Sequence, residues 1–291
     1  MNRPLALLCA LLCSAAAVSS ACLAQATEAV RFTLEPGHGG SGKIHASFRD
    51  ERSDRDHDNW STDFLPSELV GLEMSSFRGP GTRPLRFAIV REAGRLDCAG
   101  NGGGEHGNGG CRFTADAGFD RLLASRGIGT PTARQAFGLM AVNARREVID
   151  AVSAAHYPTP SIDNLLALAA LGVDGRYIGD MARAGYRPTT LQHLIEFKAL
   201  GITPQWIAGF ARVGYANVPG DGLVQMRALN ITPEFIAGFQ RIGYRDLPVH
   251  KLVELKALDI TPEFVRRAVP AGAPLPSVAH LDELKMFGSR R

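Results

Sequence analysis

"NITPEFIAGF", at Asn230–Phe239, is preceded by "GITPQWIAGF" at Gly201–Phe210 and followed by "DITPEFVRRA" at Asp259–Ala268, so the phrase recurs at a step of 29 residues (230 − 201 and 259 − 230). The ends of the apolar runs around it keep the same step: "LAALGV" from Leu168, "FKALGI" from Phe197, "MRALNI" from Met226, "LKALDI" from Leu255 and "LKMFGS" from Leu284. Gly185-Tyr186, Gly214-Tyr215 and Gly243-Tyr244 follow it too, and one step earlier stands His156-Tyr157, so a degenerate first copy begins near Thr130. Self-similarity at a fixed period is the signature of one supersecondary unit used repeatedly.

Each copy reads as two short helices. The first carries its apolar residues on one arc, as in Leu194, Ile195, Phe197 and Leu200, and stops at Gly201, Asn230, Asp259 or Gly288, residue types that tolerate the left-handed backbone after a helix. An aliphatic residue follows (Val173, Ile202, Ile231, Ile260), then Thr203-Pro204, Thr232-Pro233 or Thr261-Pro262. Thr caps the orphan N–H groups of the second helix, and Pro occupies its first turn, where no N–H is needed. The second helix buries Trp206, Ile207 and Phe210, or Phe235, Ile236 and Phe239, and ends at Gly-Tyr. A helix pair this short cannot bury its apolar face alone, so the copies are expected to stack as an α-solenoid over residues 130–291.

Lys198, Arg227, Lys256 and Lys285 also recur at this step, inside the apolar arc of the first helices. Two roles fit. The cations snorkel or pair within the helix seam, with Glu234 and Glu263 as partners, or they form a basic binding stripe that reads an acidic partner. Arg183, Arg212 and Arg241 lie opposite the apolar face and read as solvated.

The N-terminus, "MNRPLALLCALLCSAAAVSSACLAQA", reads as a secretory signal peptide over residues 1–26, with Ala24-Gln25-Ala26 as the cleavage site. A lipoprotein signal acylated on Cys22 is the alternative. Cleavage at Ala26 removes Arg3 and no acid, leaving a net charge of 31 − 29 = +2, too small to argue for nucleic acid. It also leaves only Cys98 and Cys111 of the five cysteines, and two cysteines in an exported chain read as one disulfide. The pair flanks "AGNGGGEHGNGG", read as a glycine-rich loop between strands.

Residues 27–118 have a different texture. "VRFTLEP" (Val30–Pro36), "KIHASFR" (Lys43–Arg49), "LRFAIVRE" (Leu85–Glu92) and "CRFTAD" (Cys111–Asp116) alternate and are β-prone, predicting a small antiparallel domain. "FDRLLASRGI" (Phe119–Ile128) reads as a connecting helix within 119–129. The fold class is therefore α+β. "GHGGSGKI" matches a phosphate-loop spacing at Gly37–Lys43, but Ile44 replaces the Mg²⁺-binding hydroxyl and a strand follows where a helix is required. Asp54, Asp56 and Asp58 have calcium-loop spacing, but Asn59 and Leu65 replace the required Gly and Glu. The eight histidines are dispersed and no nucleophile motif is present, so the reading names no catalytic residue, no metal and no cofactor.

"RFAIVREAGRLDCAGN", "CRFTADAGFDRLLASRGI" and "LIEFKALGITPQWIAGFARVGY" together resemble an extracytoplasmic region that accompanies membrane-embedded metallopeptidases of the BlaR type, the β-lactam-sensor and antirepressor family, over roughly Val30 to Gly288. The chain has no H-E-x-x-H motif, so the peptidase activity is not implied. What the resemblance implies is an exported accessory module. The expectation is a periplasmic, non-catalytic interaction protein binding a protein or cell-wall partner. The alternative is a regulatory or sensing subunit of such a signalling metallopeptidase.

Overall fold

The computed structural model describes residues 30–40, 42–50, 59–184, 186, 190–270 and 272–288. The proposed signal peptide, Cys22 and the aspartates at 54, 56 and 58 lie outside the described residues.

The N-terminal part is a six-stranded antiparallel sheet in the order β3-β2-β1-β6-β5-β4. Its strands are β1 (Val30–Pro36), β2 (Ile44–Asp50), β3 (Asn59–Phe64), β4 (Arg83–Arg91), β5 (Gly94–Gly103) and β6 (His106–Ala115). A short helix, α1 (Met74–Arg78), lies between β3 and β4 and packs on β4 and β5. Alternation sends Val30, Phe32 and Leu34 of β1, Ile44, Ala46 and Phe48 of β2, and Leu85, Phe87 and Ile89 of β4 into one core.

The glycine-rich segment expected as a loop is instead the far half of the β5–β6 hairpin, with only Gly104 and Glu105 between the strands. Glycine is needed there for close approach. A Cβ on Gly109 would stand 2.2 Å from the Ala99 carbonyl oxygen and 2.7 Å from the Phe32 ring. The missing side chains leave room for rings from other strands. Phe32 of β1 and Phe87 of β4 meet edge to face at 5.0 Å, although β6 and β5 separate their strands.

Twelve helices follow among the described residues, in two interleaved series. One comprises α2 (Ala117–Ser125), α4 (Arg146–Ala154), α6 (Gly175–Arg183), α8 (Pro204–Ala211), α10 (Pro233–Arg241) and α12 (Pro262–Ala268). The other comprises α3 (Ala133–Ala141), α5 (Ile162–Ala170), α7 (Leu191–Ala199), α9 (Gly220–Ala228), α11 (Val249–Ala257) and α13 (Val278–Gly288). Within each series successive starts differ by 29 (146 − 117, 162 − 133 and onward). α2, read from the sequence as a connector, falls in the same register. Helices of the second series pack on one another in order, α3 on α5, α5 on α7, α7 on α9, α9 on α11 and α11 on α13.

The local reasons are those of the sequence. Thr203, Thr232 and Thr261 each accept the N–H three residues ahead, and Pro opens each of those helices. After the helices of the second series, Asn143, Gly172, Gly201, Asn230 and Asp259 hold φ of 55°, 64°, 64°, 52° and 51°. These are the residue types for which the left-handed region costs least. No helix among the described residues is long and apolar enough to cross a membrane.

Sheet and helices share one apolar core, running from Val30 through Phe119, Phe137 and Leu165 to Leu194. Two adjacent side chains at the end of β4 tie them together. Arg91 Nη1 donates to the Met140 and Ala141 carbonyls at the C-terminus of α3 (2.8 and 2.5 Å), and Glu92 accepts from Arg146 N, the first residue of α4, at 2.8 Å. The cation meets the negative end of one helix dipole and the anion the positive end of the next.

Candidate interaction surface

The recurring cations are placed by the helices of the second series and lie over aromatic rings on helices of the first. Lys198 Nζ stands 4.6 Å from the Tyr177 ring centre, Arg227 Cζ 5.6 Å from Trp206, Lys256 Nζ 5.1 Å from Phe235 and Lys285 Nζ 5.0 Å from Phe264. All four are half-buried. Two of them also reach helix C-termini: Arg227 Nε donates to the Leu200 carbonyl at 2.8 Å, and Lys285 Nζ to the Asp259 carbonyl at 2.9 Å.

The carboxylates expected as partners, Glu234 and Glu263, are occupied elsewhere. Glu263 pairs with Arg266 at 2.7 Å, and Glu234 is held low by hydrogen bonds from its own backbone N–H and from Thr232, with Arg212 nearby. An aromatic face supplies what a carboxylate would have supplied, at a lower desolvation cost. Arg183, Arg212 and Arg241 are exposed, as their position opposite the apolar face requires.

Two of the recurring tyrosines are similarly engaged: Tyr215 Oη donates to the Leu247 carbonyl at 2.5 Å and Tyr244 Oη to the Pro276 carbonyl at 2.7 Å, each a link from one helix pair to the next. Tyr177, from the aromatic column beneath the cations, donates in the same way to the Ile202 carbonyl at 2.9 Å. Burial pushes the Tyr177 phenol up to about 12 and raises Tyr186, Tyr215 and Tyr244 as well.

Cys98 and Cys111 face each other in register on β5 and β6 with sulfurs 2.02 Å apart, and both are buried in the sheet core. Their role is to staple the hairpin; the sulfurs line no part of the helical surface.

With the recurring residues drawn into internal contacts, a different surface stands open. A cleft of about 630 Å³ runs between the β2–β3 edge of the sheet and helices α3 and α5. Its apolar lining is Trp60, Phe137, Ala141, Val142 and Leu166, and Asp50, Gln135 and Asp163 stand among its polar groups. Trp60 is fixed by stacking on Phe48 at 4.7 Å and by the Arg91 guanidinium 5.2 Å from its ring centre. Gln135 Nε2 donates to Asp163 at 3.1 Å, holding α3 to α5 at the exposed rim of the cleft. Sequence reasoning missed this cleft, because its residues come from the sheet edge and two helices and follow no period.

No family model, curated protein or solved structure matches the chain.

Proposed function

We propose that the chain is an exported, non-catalytic interaction protein of the bacterial cell envelope that binds a protein partner in the cleft beside Trp60. In this reading the helix pairs stack as an α-solenoid of 29-residue units, and the sheet closes its N-terminal end. The observation that carries the proposal is the contrast between two surfaces. The periodic cations and tyrosines contact their own neighbours, whereas the non-periodic residues at the sheet–helix junction form an apolar cleft with a polar rim, the composition of a small recognition site. The partner is placed as protein because the lining is dominated by aliphatic and aromatic side chains, which suit an inserted apolar side chain better than a glycan. Location in the periplasm rests on the signal-like N-terminus and the cysteine pair.

A photo-crosslinking residue at Leu166, compared with one at exposed Arg241, tests this in intact envelopes. Crosslinking to a discrete protein from position 166 only, lost when Val142→Glu is added, is expected. Equal labelling from both positions, or labelling that survives Val142→Glu, would overturn the cleft as the binding site. If the captured protein is a membrane metallopeptidase, the narrower reading of a regulatory subunit follows.

A further inference from the structure

The turn that resembles a phosphate loop in sequence has a different use in the structure. After β1 the chain turns through His38–Gly40 and returns as β2, closed by Gly37 N donating to the Lys43 carbonyl at 2.9 Å. Gly37 is fitted to this closure, since a Cβ there would stand 2.8 Å from that same oxygen. The turn carries His38 across the outer face of the sheet to a cross-strand pair, His45 on β2 directly opposite Asp63 on β3. His45 Nδ1 lies 2.8 Å and His38 Nδ1 3.6 Å from the same oxygen, Asp63 Oδ1, and one donor atom from each residue falls within 4.8 Å of the others.

We propose that His38, His45 and Asp63 form a binding site for a divalent transition-metal ion of the zinc class. Two imidazoles and one carboxylate are the borderline donor set that such ions select, while Ca²⁺ and Mg²⁺ require oxygen. Ligand bonds of about 2.0–2.2 Å in a tetrahedral set place donors about 3.3–3.6 Å apart, so the present spacings need only small adjustment. A cross-strand ion pair alone accounts for His45 and Asp63, but not for His38, which is 80% exposed and still directed at the same carboxylate oxygen.

Ser47 Oγ, 3.4 Å from His45 Nε2, adds a second observation. Without metal, His45 Nδ1–H donates to Asp63 and Nε2 accepts from the hydroxyl. With metal on Nδ1, the proton moves to Nε2 and the hydroxyl accepts instead. A hydroxyl serves both tautomers, so ring orientation is kept through the exchange. Three protein ligands leave the remaining position to water on the exposed side, so the site is open and the ion has a route in.

Isothermal titration of the metal-stripped full-length mature chain with Zn²⁺, Ca²⁺ and Mg²⁺ tests the proposal. One Zn²⁺ per chain is expected, with no Ca²⁺ or Mg²⁺ binding. Loss of a direct ligand should weaken Zn²⁺ at least as much as loss of an outer-shell partner does, so His38→Ala, His45→Ala and Asp63→Asn should each weaken it by about 100-fold and Ser47→Ala by about 10-fold. His38→Ala removes an exposed side chain, so its result does not depend on whether the half-buried variants fold. Absence of Zn²⁺ binding, Ca²⁺ binding in its place, or Zn²⁺ binding unchanged in His38→Ala would each overturn the assignment.

Discussion

Replacing Lys198, Arg227 and Lys256 together by glutamate reverses three charges that rest on the rings of Tyr177, Trp206 and Phe235. Each lost cation–ring contact costs about 1 kcal/mol at a half-buried position. Withdrawing the charged donor from the Leu200 carbonyl costs about 2 kcal/mol more. A carboxylate over the negative face of a ring, near a helix C-terminus, adds about 0.5 kcal/mol at each site. The three positions share no partner, so the losses are close to additive and come to about 6.5 kcal/mol. For a chain of this size that lowers the melting midpoint by about 13–26 °C. The matched control replaces Arg183, Arg212 and Arg241, an identical change in formal charge on exposed positions, where each substitution stays within about 0.5 kcal/mol. Thermal unfolding followed by circular dichroism compares the two. If both triple variants melt alike, the column is not a structural seam and its reading as a basic binding stripe returns.

Non-reduced protein beginning at Thr27 should show no alkylatable thiol, and Cys98→Ser with Cys111→Ser should lose about 3 kcal/mol of stability in urea; two reactive thiols in that folded protein would refute the staple. Gly109→Val should abolish folding or cost about 3 kcal/mol or more, because its Cβ meets the Ala99 carbonyl and the Phe32 ring. Gly104→Asn, at φ 60° with open space around it, should stay within about 1 kcal/mol of wild type on the same denaturation curve. Burial, with Glu254 beside it, raises the Asp282 carboxyl to about 6 from 3.8. A raised folded-state value means the native state binds the extra proton, so this stabilisation is complete below about pH 4 and is lost as pH rises through about 6. Asp282→Asn should therefore raise the melting midpoint at pH 7.5 and leave it nearly unchanged at pH 4; an equal effect at both would refute it.

The helical half was legible because short-range physics set it. Caps, prolines and left-handed residues at Thr203, Pro204, Gly201 and Asn230 announce helix ends whatever the tertiary surroundings. The sheet was half legible. β1, β2, β4 and β6 alternate clearly, but β3 is a polar edge strand, "NWSTDF", with one fully buried residue. β5 hid its pairing in glycines that read as a loop until the rings packed above them were in view. The basic column was legible as a period, but its partners were not: the cations lie over aromatic rings already assigned to the core, and the carboxylate that Lys285 does meet, Asp259 at 3.4 Å, is neither Glu234 nor Glu263. The histidine–aspartate cluster and the Trp60 cleft were invisible for a common reason. Each joins residues that only strand register or sheet–helix docking brings together, and no spacing along the chain encodes either.

In the proposed solenoid, one helix pair is an interchangeable structural unit. Deleting Thr203–Ile231 removes 29 residues and joins Ile202 to Thr232, so that α7 runs into the cap of α10 in register. Small-angle scattering with circular dichroism should show a folded, cooperatively melting chain, shortened by about 10 Å, one helix diameter. The helical content per residue should be preserved. A deletion half as long at the same position should unfold the region. If the in-register deletion unfolds as completely as the out-of-register one, the copies are not stacked equivalent units and the solenoid reading fails.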